Sequence, residues 1–284
     1  MAHLQIGKSL AETDVLWRYL TLDKFINLIE SSTLFFTPLA WYKETDPFEG
    51  YLPKVAIDAI AAIPAKYAKR HDERIATIEK LPQSQQHAGE LAYLRQEVAR
   101  VHTQTMKALH KNIVNCLTVN CWYRSQHESE GMWGLYSKGG VAIKTSVGAI
   151  EAALAENQQD HHIFMGAVKY VDFSSKDLTP PDCVSEDGHL MGMIKRIAYA
   201  HENEVRMYIT GKRAPRDLSI HDPAPAIVSL DVHKLIEGVV ISPVASRSIE
   251  QSIRAVCKWG NVDPSRVWKS SLLENCEYLL GGYD

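Results

Sequence analysis

No apolar run in this chain approaches the roughly 20 residues needed to cross a bilayer as a helix, so no membrane attachment is expected. The five cysteines (Cys116, Cys121, Cys183, Cys257 and Cys276) are odd in number, and no pair has C-x-x-C spacing. That argues against a disulfide framework, a redox motif and a zinc ribbon, and favours reduced thiols in a cytosolic protein. Walker, dinucleotide-glycine and G-x-S-x-G patterns are missing, which removes the commonest phosphate-loop and serine-hydrolase chemistries. Neither sign of charge dominates: 31 Lys and Arg against 34 Asp and Glu give a net charge of -3. No global field therefore draws the chain to nucleic acid or anionic lipid. The opening MAHLQIGKSLAETD has no apolar stretch after its charges, so a secretory signal is not expected and a cytoplasmic location is. His161 and His162 are adjacent and cannot share a face, and the remaining histidines lack ligand spacing, so no metal is expected.

What is present is an ordinary globular composition, 45% hydrophobic and 23% charged over 284 residues. The pattern predicts one α+β domain spanning residues 1–284, with a mixed or antiparallel sheet core and a helical insertion at about 54–111. A strand is expected at Val15–Tyr19, a helix capped by Thr21 and ending near Ser31, and a strand at Thr33–Leu39. Residues 40–53 read as an aromatic and acidic loop. In the insertion, Pro64 and Pro82 predict breaks, and Leu91, Leu94, Val98, Val101 and Leu109 mark one helix face. Strands are then expected at Ile113–Asn120, Val141–Thr145, Phe164–Val171, Glu204–Thr210, Ile227–Leu230, Gly238–Ile241 and Val267–Ser270. Helices are expected near Val147–Glu156, Leu190–His201 and Ser248–Trp259. Regular βαβ alternation is missing, which disfavours a doubly wound sheet.

Four segments could carry chemistry. In HENEVRMYI (201–209), strand alternation puts Glu202, Glu204 and Arg206 on one face. That face is either a solvated edge with a weak ion pair or a polar site whose carboxylate orients a ribose hydroxyl. In LWRY (16–19), Arg18 could clamp a phosphate with paired hydrogen bonds, or sit at the sheet margin against Asp46 or Glu49. In TDPFEG (45–50), Asp46 before Pro47 suits a turn and Gly50 suits a positive φ; Asp46 and Glu49 could also hold a metal or Arg18. In MWGLYSKGGVAI (132–143), Trp133 and Tyr136 could wall a flat ring, and Ser137, Lys138 and the glycine amides could meet phosphates. The alternative is core aromatics beside a plain turn.

LWRY (16–19), DPFEG (46–50), NCLTVNCW (115–122), MWGLYSKGGVAI (132–143), VKYVD (168–172), ENEVR (202–206) and GVVISP (238–243) run in order along most of the chain. In that order the chain resembles the bacterial family called domain of unknown function 2971. A more distant likeness is to the DarT-type ADP-ribosyltransferases. An aromatic-basic strand, a helix and TLFFTP open the chain; NEVRMYI, LIEGVVIS and SIEQSIRAVCKWG follow in the second half. The likeness implies an ADP-ribosyltransferase-like fold that cleaves NAD and modifies a protein or nucleic acid, as a toxin or phage-defence effector. It puts Glu204 at the catalytic position, Glu202 as the first acid of an E-x-E pair, and Arg18 and Tyr19 at the NAD grip. Trp133 or Tyr136 would stack on nicotinamide. A Ser-Thr-Ser strand motif is missing, and NCLTVN is a loose substitute. Two other readings remain. One is a non-enzymatic nucleotide- or anion-binding module using Arg18 and Arg206. The other is a metal-dependent nuclease using Asp46, Glu49, Glu202 and Glu204.

Overall fold

A computed structural model describes residues 3–82, 84–103, 106–211 and 222–274. Cys276 lies outside the described residues, and burial is not described for Val101 and Leu109. In order, the elements are β1 (His3–Ile6), β2 (Val15–Leu20), α1 (Leu22–Ser31), β3 (Thr33–Pro38), α2 (Lys54–Ile78), α3 (Gln85–Thr103), α4 (Met106–Cys116), β4 (Leu117–Arg124), α5 (Glu130–Tyr136), β5 (Val141–Ser146), α6 (Val147–Leu154), β6 (His162–Ala167), β7 (Lys169–Val171), β8 (Ile194–Arg196), β9 (Glu204–Thr210), β10 (Ala226–Ser229), α7 (Val232–Leu235), β11 (Gly238–Ile241), α8 (Arg247–Trp259) and β12 (Val267–Lys269).

Ten strands form one mixed sheet, in the order β1-β6-β9-β4-β2-β5-β11-β12, with β3 paired to β4 and β10 paired to β3. Among the described residues of this sheet, only the outer pairs β1–β6 and β11–β12 are parallel; β7 and β8 form a separate parallel pair. The α+β class and the mixed sheet follow the sequence pattern; β1 carries too little apolar contrast to be read from it. One core face collects Leu16, Phe25, Phe36, Ile143, Met207 and Val239, with α1, α6 and α8 packed over it. α8 presents Ile253 and Cys257 inward, as the spacing predicts, with Ile249 and Val256 partly buried.

The path of β4 positions the site. One edge of β4 is paired throughout by β9. The other edge is shared. β3 pairs with Thr118 and Val119, while β2 pairs with Tyr123 and Arg124. Between these contacts β2 and β3 part, and the sheet opens. Asn120 partly fills the gap, donating from Nδ2 to the Phe35 carbonyl at 3.0 Å and accepting from Trp122 Nε1 at 2.7 Å.

Several local expectations change. Residues 113–116 end α4 rather than begin a strand: a short apolar run is ambiguous by period, and Val114 is buried against Leu39 and Leu117. The helical block thus extends to Cys116. α2 continues through position 64; the ion pairs Arg74–Glu90 and Arg95–Glu79, with Ile78 against Leu91 and Leu94, hold its second half to α3. Thr21 occupies the N-cap of α1 without a side-chain cap bond. The helix expected at 190–201 is absent. Gly192 adopts φ 77°, outside helical space, and the chain forms β8 and a 3-10 turn at Ile197–Glu202 instead.

Candidate functional site

A cleft of about 500 Å3 occupies the place where β2 and β3 separate along β4. Register explains most of its wall. Trp17 pairs with Tyr123 and Tyr123 pairs with Glu204, so these three lie in a row on one face. One step along, Cys121 pairs with Arg206. Arg18 has the opposite parity, yet it lines the same cleft because the sheet is open beside it. Trp41 and Tyr42 enter from the turn after β3, Tyr136 from α5, and Lys195 and Tyr199 from the segment before β9.

β9 is an interior strand with partners on both edges, so the solvated-edge reading of Glu204 and Arg206 is wrong. Glu202 is not on the strand at all. It ends the 3-10 turn, and Asn203 takes the left-handed conformation (φ 34°) that asparagine tolerates better than most residues. Asn203 is pinned by its Nδ2, which donates to the Arg124 carbonyl at 2.5 Å. That sharp reversal delivers both glutamates to the cleft.

Arg206 is only 2% exposed and is fully engaged. Its Nε and one terminal nitrogen grip both oxygens of Glu204 at 2.8 and 3.0 Å. The other terminal nitrogen donates to Glu49 Oε1 at 2.8 Å and to the Gly192 carbonyl at 2.6 Å. A guanidinium with these donors spent is a buried strut, so the expectation that Arg206 holds a ligand is corrected. Lys195, 9% exposed, donates to Glu202 at 2.5 Å and Glu204 at 3.3 Å, with Glu49 at 3.7 Å. Three carboxylates thus face two buried cations. Burial opposes ionisation of Glu204, but Arg206 and Lys195 outweigh it and hold its pKa well below the usual carboxylate range. Lys195 is the converse: burial acts to lower its pKa, and the surrounding glutamates raise it.

The depressed pKa of Glu204 has a consequence for acid stability. A carboxylate with a lowered folded-state pKa contributes stability that is complete above its unfolded value, about 4.3, and is lost as pH falls toward the folded value. Melting curves between pH 6 and 3 should therefore fall more steeply for the wild type than for Glu204→Gln. Equal slopes would show that Glu204 does not carry the effect.

Arg18 contrasts with these paired groups. It is half-buried, sits 5.5 Å over the Trp122 ring, and has no carboxylate partner among the described residues. Burial lowers its pKa, with Cys121 and Tyr42 acting in the other direction. The two acids that the sequence offers as its partners serve other arginines. Glu49 holds Arg206, and Asp46 holds Arg196 at 2.8 Å while accepting from the Phe48 amide. The turn reading of Asp46 and Gly50 stands, Gly50 having φ 76°. A guanidinium that lines a cleft with no carboxylate partner among the described residues is suited to an anion.

The aromatic expectations divide. Tyr136, 47% exposed, lines the cleft and donates its hydroxyl to Glu202 Oε1 at 2.6 Å. Tyr19 also lines it, its hydroxyl accepting from the Ser129 amide at 2.8 Å. Trp133 and Ser137 do not. Trp133 is buried edge-on against Tyr19 and donates to Glu128 at 2.8 Å. Ser137 is buried and donates to the Leu20 carbonyl at 2.5 Å, tying α5 to β2. Trp133 is turned from α5 onto Tyr19 and Glu128, and Ser137 is drawn inward to the Leu20 carbonyl, so neither reaches the cleft. Residues missed from sequence are Lys195, hidden by the helix expected there, and Trp41, Tyr42 and Tyr199 on the rim.

Asp46, Glu49, Glu202 and Glu204 do converge, as a nuclease would need, but each is engaged by Arg196, Arg206 or Lys195. A cationic lattice among the carboxylates is a poor donor set for a divalent ion. Among the described residues, no group of three or more His, Cys, Asp or Glu is arranged to hold a metal, and no helix is long and apolar enough to cross a membrane. Comparison of the chain with protein-family models, with curated proteins and with solved structures finds no match.

Proposed function

We propose that the cleft binds NAD and that the chain is an ADP-ribosyltransferase-like enzyme acting on a protein or nucleic acid. The observation that carries this reading is that Arg18, with no carboxylate partner among the described residues, lines one aromatic-walled cleft with the Glu202–Glu204 acid pair. Arg18 supplies the cation for the pyrophosphate. Tyr19, Tyr136 and Trp41 offer rings for a flat base. Breaking the nicotinamide–ribose bond develops positive charge on the sugar, which a fixed carboxylate stabilises while accepting from a ribose hydroxyl. Glu202 is the better placed of the two acids. Its Oε1 bonds only to Tyr136, which is half exposed and can be displaced, whereas both oxygens of Glu204 lie in the Arg206 fork. Glu204 then serves as the charged floor beneath it. Membership of the domain of unknown function 2971 family belongs to the same proposal and rests on the order of the shared motifs.

The test is nicotinamide release by the purified protein, with and without cell extract, for wild type, Glu202→Gln and Glu204→Gln. Release by wild type and its loss in a folded Glu202→Gln, by about 100-fold or more, is expected. No release from NAD under any condition would overturn the transferase reading. A second reading, a non-enzymatic nucleotide-binding module, draws support from the tight neutralisation of both glutamates by Lys195 and Arg206. It predicts NAD or nucleotide binding by calorimetry with no turnover.

A further inference from the structure

We infer that Lys195 is a positioning residue for the acid pair: its ammonium bridges Glu202 and Glu204 and fixes the Glu202 carboxylate at the cleft. This rests on the transferase reading for its catalytic consequence, but not for its geometry.

Two neighbouring carboxylates in a poorly solvated wall repel each other and tend to share a proton unless a cation lies between them. Arg206 cannot be that cation for Glu202. Its donors are spent on Glu204, Glu49 and the Gly192 carbonyl. Lys195 can, and it touches both acids. The fold brings it there by a dedicated device. Gly192 turns the chain, Met193 and Ile194 are buried in separate apolar clusters, and β8 pairs with β7 for three residues. Lys195, next in β8 and of opposite parity to Ile194, points into the cluster, with its ammonium also 4.8 Å over the Tyr199 ring. Around it stand Glu49, Glu202 and Glu204 as acids and Arg206 as the other cation, and Tyr136, Tyr170 and Cys121 complete the polar wall. Glu202 consequently has one oxygen on a buried cation and the other on an exposed tyrosine. A ligand hydroxyl that displaces Tyr136 would meet a carboxylate already aimed by Lys195.

The experiment follows the Glu204 side-chain carboxyl carbon in 13C-labelled protein, assigned by its loss in Glu204→Gln, alongside NAD kinetics. In wild type the signal should stay unshifted from pH 7 to about 4, where a free glutamate is half titrated. In Lys195→Met its midpoint should rise by about 1 pH unit or more. Nicotinamide release should fall on the order of 100-fold in kcat with KM little changed. Lys195→Arg should restore part of kcat, which a role in stability alone would not require. If Lys195→Met does not fold, Lys195→Gln carries the same expectations. Superposable titrations in wild type and variant, or a wild-type Glu204 that titrates like a free glutamate, would overturn the inference. If wild type releases no nicotinamide, the transferase reading fails by itself, and the titration still decides what Lys195 does to the acids.

Discussion

Replacing Arg18 with methionine should weaken NAD binding by about 100-fold while leaving the melting temperature unchanged or raising it. Both halves come from one observation, that this half-buried guanidinium has no carboxylate partner among the described residues. A cation drawn out of water without a partner costs folding free energy, and burial shifts its pKa downward accordingly. Methionine keeps much of the packing over Trp122 and removes the cost. The same unpaired charge is what an anionic ligand would use, and charge-assisted hydrogen bonds are worth about 1.5–3 kcal/mol each. Calorimetry with NAD and a thermal melt read the two halves separately. A variant that melts several degrees lower yet binds as well as wild type would make Arg18 a structural residue and remove the anchor of the proposed function.

Arg206→Met should do the reverse and cost about 3–5 kcal/mol of stability, because breaking a buried ion pair from one side strands the other charge. Here two carboxylates, Glu49 and Glu204, would be stranded, together with the Gly192 carbonyl. Glu49 comes from the turn after β3, Gly192 from the segment before β8 and Glu204 from β9, so the arginine joins three distant parts of the chain. Denaturant unfolding measures the loss. A cost under about 1 kcal/mol would mean that water or Lys195 satisfies the acids without Arg206. The opposed outcomes at Arg18 and Arg206 distinguish a ligand cation from a structural one, although both lie in short motifs that read alike in one dimension.

How much of the site was legible follows from range. The glutamates and Arg18 stand out as charged residues inside β-patterned segments, and Tyr136 as an aromatic beside a turn. Their convergence depends on strands far apart in sequence. Arg18 and Glu204 are brought together through β4, which neither segment specifies. Arg206 was misassigned because alternation gives its face but not its partners. Lys195 was missed because IKRIAYA has an acceptable helical spacing. Only the left-handed Gly192 and the burial of Ile194 turn it into a strand. Neither the spacing of α5 nor the turn after it shows which side meets the cleft; only the contacts with Tyr19, Glu128 and the Leu20 carbonyl turn Trp133 and Ser137 inward.

By itself, the sequence determined the mixed α+β character, the helical block after residue 54, most strand positions from β2 onward, and the residues able to carry charge chemistry. These depend on local periodicity and turn residues, which act over a few positions. Tertiary structure alone decided which charges are neutralised and which is left free. The parting of β2 and β3 along β4 opens the cleft, Arg206 and Lys195 consume the acids around them, and Arg18 is left lining the space without a carboxylate partner among the described residues. Charge pairing in a protein interior is a matter of distances of a few ångströms between residues far apart in the chain, and only the folded sheet sets those distances.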